Sequence, residues 1–194
     1  MDKYLKRNVY EQLLLWKQSE HHATLEVSGA RQVGKTYILD KFAREQYQQY
    51  IYINMIGESG EYFLECYEKA YHRSNVQDKS ENGMAAVLNM YAPEFVDSKD
   101  TVVVIDEIQE SPVIYSRIRE LAREFSCDFI VTGSYLGKTR EKEFFLSAGD
   151  TDTLIMGTLS FPEFLGAFGK RNLYERLSLP SMMKLKDILI CTVR

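Results

Sequence analysis

Gly29-Ala30-Arg31-Gln32-Val33-Gly34-Lys35-Thr36 spells a complete GxxxxGKT, and few strings this short restrict a fold and its chemistry so tightly. Gly29 and Gly34 permit backbone angles and close approaches that a Cβ blocks, so consecutive N–H groups can turn inward around phosphate. The loop follows a short β-rich run, Ala23 to Ser28, and opens into a helix marked by Ile38, Leu39, Phe42 and Ala43. A helix N-terminus there adds its dipole and free N–H groups to the anion site. Lys35 is the phosphate-reaching cation and the Thr36 hydroxyl the magnesium ligand that this motif provides. The expected nucleotide contacts are Gly29, Ala30, Arg31, Gln32, Val33, Gly34, Lys35, Thr36 and Tyr37.

A second signal lies far down the chain. Thr101-Val102-Val103-Val104-Ile105 is apolar without alternation, the pattern of a parallel strand buried on both faces. It delivers Asp106 and Glu107 at its C-terminal end, where ligands sit in open parallel sheets. Asp106 is thus the candidate for holding magnesium, directly or through water. Glu107 is the candidate for polarising a water that attacks the γ-phosphate, with Lys35 its catalytic partner. The next strand, Asp128 to Thr132, stops at Gly133, and Ser134 or Thr132 is a candidate contact to nucleotide or water.

The remaining pattern supports one α/β unit. Leu5, Val9, Leu13 and Trp16 recur at helical spacing near the N-terminus, and Tyr50 to Asn54 is a second β-rich run. Tyr62, Phe63, Cys66, Tyr67 and Ala70 mark one helix face; Ala85, Val87, Leu88 and Tyr91 mark another, with a polar loop from Arg73 to Gly83 between. Ser111-Pro112 reads as an N-cap and first-turn proline before Ile114, Ile118, Leu121 and Phe125. A fifth strand is expected from Thr153 to Met156. Strands alternating with helices predict βαβ units and a parallel sheet.

Composition excludes several classes. The 194 residues carry a net charge of −4, so no global basic field draws the chain to nucleic acid or an anionic membrane. Cys66, Cys127 and Cys191 are widely spaced and make no CxxC pair, which predicts reduced thiols rather than disulfides or zinc. His21-His22 lacks a third ligand at metal spacing. Phe144-Phe145 reads as a partner contact or as a pair tucked against the core, and the nearby Lys138, Arg140 and Lys142 read as a solvated loop. No signal peptide and no run of about 18 apolar residues is present, so a cytoplasmic protein without a membrane span is expected.

Together these strings resemble the bacterial and archaeal AAA-type ATPases that carry a C-terminal domain of uncharacterised role. The matching residues are the N-terminal helix ending near Leu13 to Trp16, Gly29 to Thr36, Ile105-Asp106-Glu107-Ile108-Gln109, Thr132-Gly133-Ser134 and Leu159-Ser160-Phe161-Pro162-Glu163-Phe164-Leu165. The resemblance spans about Lys3 to Gly169. It implies a three-layer α/β/α P-loop fold of the additional-strand type, with a five-stranded parallel sheet in the order 5-1-4-3-2. It further implies ATP rather than GTP, with magnesium, and the roles given above for Lys35, Thr36, Asp106 and Glu107. Many members show a Gly-Arg pair where this sequence has Gly149-Asp150, which leaves any arginine finger to a partner or to none. Residues 1–170 are expected to form the ATPase domain. Residues 171–194 look like the start of a truncated C-terminal domain, through which a protein or nucleic-acid partner is engaged.

Other nucleotide chemistries fit less well. A GTPase reading lacks Asn-Lys-x-Asp, the nearest string being Lys184-Leu185-Lys186-Asp187 in the tail. A small-molecule kinase would need an acceptor site, and an Asp-Glu pair is more typical of enzymes that activate water. A nucleotide-dependent interaction module with negligible turnover stays open as the alternative to an ATPase.

Overall fold

The computed structural model describes residues 6–20, 23–73, 83–133 and 151–170. Helix α1 (Asn8–Gln18) precedes strand β1 (Thr24–Ser28), and α2 (Lys35–Gln46) leads into β2 (Gln49–Asn54). Helices α3 (Glu58–Arg73) and α4 (Gly83–Tyr91) come before β3 (Thr101–Asp106). A 3-10 turn at Ile108–Glu110 is followed by α5 (Pro112–Glu124), β4 (Asp128–Gly133), β5 (Thr151–Ile155) and α6 (Phe161–Ala167). Among the described residues, no helix is long and apolar enough to cross a membrane.

The strands form one five-stranded sheet in the order β2-β3-β4-β1-β5, with every pairing parallel. Read from the other edge this is 5-1-4-3-2, the order implied by the resemblance. Strand β3 lies inside the sheet between β2 and β4 and is buried at all six positions, which accounts for its unbroken apolar run.

Alternation along the strands divides the core into two layers. Ile51, Ile53, Val103, Ile105, Phe129 and Val131 face α3, α4 and α5. Leu25, Val27, Val102, Val104, Ile130 and Leu154 face α1 and α2, where Leu13, Ile38 and Phe42 fill the interior. A fully buried side chain of this kind stabilises the fold by about 1.5–3 kcal/mol. Leu13→Ala would therefore detach α1 at a cost of about 2–5 kcal/mol, because a cavity is added to the lost burial.

The start of α5 follows its sequence signal, whereas α1 begins only at Asn8, after an extended Arg7. Ser111 caps α5, its hydroxyl accepting from the Ile114 N–H at 3.4 Å, with Pro112 in the first turn. Two helix faces differ in detail from the sequence reading. In α3 the buried residues are Phe63, Cys66 and Ala70, while Tyr62 stays 47% exposed and lies against the Tyr91 ring instead. In α4, Met84 joins Val87 and Leu88 in the core, and Ala85 and Tyr91 are half-buried. The fifth strand begins at Thr151, because it pairs with β1 from Thr24 onward; Met156 lies just past its end.

Candidate nucleotide site

The glycine loop connects β1 to α2 at the C-terminal edge of the sheet. A Cβ at Gly29 would sit 2.2 Å from the carbonyl oxygen of Met156, so only glycine fits beneath the β5 end. Gly34 is the N-cap of α2 with φ 92° and offers no side-chain cap. The first-turn N–H groups of α2 therefore have no partner within the helix and remain suited to an anion.

Lys35 is 8% exposed, and its Nζ donates to the carbonyl oxygens of Gly29 at 2.8 Å and Ala30 at 2.9 Å. Burial lowers the lysine's pKa, and the Glu107 and Asp106 carboxylates oppose that shift. The Thr36 hydroxyl donates to Asp106 Oδ2 at 2.8 Å, joining two motifs that lie 70 residues apart in the chain. Asp106 Oδ1 accepts from the Glu107 N–H at 2.9 Å.

Backbone strain concentrates in the same two motifs. Gln32 at φ 62° and Glu107 at φ 53° are the two non-glycine residues with positive φ among the described residues. Each such conformation costs on the order of 1–3 kcal/mol and persists only where the surroundings impose it. Glu107 directly follows the last residue of β3 and is the N-cap of the 3-10 turn. Its Oε2 accepts from Gln109 Nε2 at 2.5 Å.

Thr132 lies at the end of β4. Ile105 is level with Val131, so Asp106 and Thr132 follow side by side on the α2 face. Thr132 is fully buried, and its Oγ1 has no hydrogen-bond partner among the described residues. An orphaned hydroxyl costs stability, and here it sits on the face that carries Lys35 and Asp106. Ser134, the other candidate on this segment, lies outside the described residues. The same holds for His21, His22, Lys138, Arg140, Lys142, Phe144, Phe145, Gly149, Asp150 and Cys191. Cys66 and Cys127 are buried free thiols, as their spacing predicts.

Three contributors escaped the sequence reading. Tyr52 donates its hydroxyl to Asp106 Oδ2 at 2.8 Å; burial first, then that bond and the carboxylate charge, pushes its pKa well up, so it remains a donor. Arg7 reaches the loop, donating to the Val33 carbonyl at 3.1 Å and to the Gly157 carbonyl at 2.8 Å, with Nε 3.3 Å from Glu163 Oε1. Gln109 holds Glu107, as above. The alternation of β2, which places Tyr52 on the face of Val104, hinted at the first, and Gln109 stood in the matching string Ile105 to Gln109 without a role assigned to it.

The residues fit a magnesium–triphosphate complex by the chemistry of their donors. Magnesium takes hard oxygens, keeps several waters and shares substrate phosphates, so one hydroxyl and one carboxylate suffice. Accordingly, no cluster of three or more His, Cys, Asp or Glu suited to a metal occurs among the described residues. A separate concavity of about 790 Å³ opens at the opposite, N-terminal ends of β1 and β4. It mixes cations such as Lys99 and Arg123 with Glu20 and Asp128, so it presents no single charge to a ligand.

A parallel sheet in this order, with a glycine loop entering a helix and an acidic strand end beside it, defines a P-loop nucleotide-binding protein. The AAA domain family matches residues 21–165, and the chain belongs to that family. No curated protein matches the sequence. Solved structures are similar to this chain at low identity. ORC1 of Aeropyrum pernix, solved in complex with DNA, is 16% identical over 87% of this chain and 48% of its own, with a TM-score of 0.50. Cdc6p of Pyrobaculum aerophilum is 13% identical over 88% of this chain and 52% of its own, with a TM-score of 0.49. Aeropyrum pernix ORC2, in ADPNP–ADP complexes, is 12% identical over 84% and 48%, with a TM-score of 0.43. This chain spans about half the length of those proteins.

Proposed function

We propose that this AAA-type nucleotide-binding module binds ATP with magnesium and hydrolyses it, and that the cycle drives a conformational switch. The observation that carries the reading is the 2.8 Å bond from Thr36 to Asp106, which unites the glycine loop and the acidic strand end. The main-chain N–H groups of Gly29 to Thr36 and the first turn of α2 cradle the phosphates, and Tyr37 follows on the exposed side of the helix. Lys35 exchanges the carbonyls of Gly29 and Ala30 for β- and γ-phosphate oxygens. Thr36 and Asp106 would hold magnesium, which when bound would neutralise charge developing on the phosphate oxygens.

Glu107 takes the proton of the attacking water as its oxygen bonds to the γ-phosphorus. The bond to the β–γ bridging oxygen breaks, giving ADP and phosphate. The orphaned Thr132 hydroxyl supplies a donor to the γ-phosphate or to that water. Ser134 is a further candidate contact on sequence grounds. The switch acts on a protein or nucleic-acid partner, in the cytoplasm, through chain that follows residue 170.

One observation favours a second reading, a module that binds ATP with negligible turnover. Gln109 Nε2 occupies a Glu107 oxygen at 2.5 Å, where a water would need it. Steady-state hydrolysis by wild type and Glu107→Gln separates the two. A large loss in the variant supports hydrolysis, and equal rates support the binding module.

A further inference from the structure

A carboxylate that serves a metal keeps one orientation only when neighbouring donors hold it. Asp106 has three such donors among the described residues. Thr36 belongs to the loop itself, and the Glu107 N–H belongs to the next residue in the chain. Tyr52 alone comes from another strand, its hydroxyl 2.8 Å from Oδ2.

The parallel register explains the reach. Tyr52 is level with Val104 and Asn54 with Asp106, so the tyrosine and the aspartate share a face two positions apart. A ring is long enough to span that diagonal. The tyrosine is itself held at both ends: its ring packs edge-on to Tyr50 with centroids 6.3 Å apart, and its carbonyl accepts from the Tyr91 hydroxyl at 3.3 Å.

We infer that Tyr52 is a positioning residue for magnesium, its hydroxyl fixing Asp106 Oδ2 so that the carboxylate meets the metal–nucleotide complex already oriented. Tyr52 does not touch the nucleotide. Its contribution is the ordering of Asp106, an ordering that the complex would otherwise have to impose on binding. The inference rests on the magnesium–ATP reading of this site.

The test is titration of a fluorescent ATP analogue, at graded magnesium and in EDTA, with wild type, Tyr52→Phe and Tyr50→Phe. Tyr52→Phe keeps the packed ring and loses one oxygen. Its magnesium half-saturation should rise about 10-fold, while nucleotide affinity in EDTA is unchanged. Tyr50→Phe removes a neighbouring hydroxyl that interacts with Asp40, and should leave the magnesium requirement as in wild type. An unchanged half-saturation in Tyr52→Phe, or an equal loss with and without magnesium, overturns the inference. Wild type that binds the analogue without any response to magnesium overturns the magnesium reading as well.

Discussion

Lys35 Nζ lies 2.8 Å from the carbonyl oxygen of Gly29, so the glycine loop holds its own lysine where phosphate would be expected. Ala30 supplies a second carbonyl at 2.9 Å. On the proposed function, nucleotide entry would exchange these neutral acceptors for charged ones. Lys35→Ala removes the cation and should weaken ATP binding by about 100-fold, the effect of losing a charge-assisted hydrogen bond or two. Fluorescent-ATP titration checks this, and unchanged affinity would refute it.

Glu107 should matter to turnover and little to binding. Glu107→Gln keeps the size and the contact with Gln109 but removes the base, so steady-state hydrolysis should fall by about 100-fold or more. Affinity for ATP should stay within about threefold, since the glycine loop is untouched. Phosphate-release assays run beside binding titrations give both quantities.

Thr132 gives a prediction with opposite signs in the two states. Its buried hydroxyl has no partner among the described residues, so Thr132→Val should leave the melting temperature without nucleotide unchanged or raise it. The stabilisation gained on adding ATP with magnesium should shrink in the variant by about 1 kcal/mol, as one hydrogen bond is missing. Paired thermal melts suffice. A variant that is less stable without nucleotide and unaltered in its response would show the hydroxyl to be structural.

Arg7 and Glu163 tie α1, the glycine loop and the start of α6 together. Glu163 accepts from the Asn8 N–H, the Ser160 N–H and the Ser160 hydroxyl, each at 2.7 Å, and from Arg7 at 3.3 Å. Burial of this carboxyl favours protonation, yet the donors around it outweigh burial and leave its pKa below the ordinary value of 4.5. A depressed pKa in the folded state means the stabilisation is complete above the unfolded pKa and disappears as pH falls through the folded one. Glu163→Gln should therefore lower the melting temperature by about 4–10 °C at neutral pH, for a loss of about 2–3 kcal/mol. The gap from wild type should close as pH falls below the ordinary glutamate range, where the carboxyl is protonated in both states. A gap that persists in acid would contradict the assignment.

The fold was legible to unequal depths. Strand β3 declared itself because a strand covered on both faces must be apolar at every position. The N-cap of α5 was readable from Ser111-Pro112, since capping is a matter of adjacent residues. The sheet order, by contrast, followed from family resemblance; periodicity carries no information about which strands become neighbours. Tyr62 was assigned to the core face of α3 because an aromatic near the stripe reads as buried, but it lies at the stripe's edge against Tyr91.

Sequence alone determined the glycine loop and the acidic strand end, because glycine angles, helix starts and buried strands depend on neighbours a few residues away. Only the tertiary structure decided that Tyr52 holds Asp106, that Arg7 reaches Val33 and that Thr132 is left without a partner. Those meetings depend on strand register and helix docking. A one-residue slip of β2 against β3 would turn the Tyr52 hydroxyl to the opposite face of the sheet.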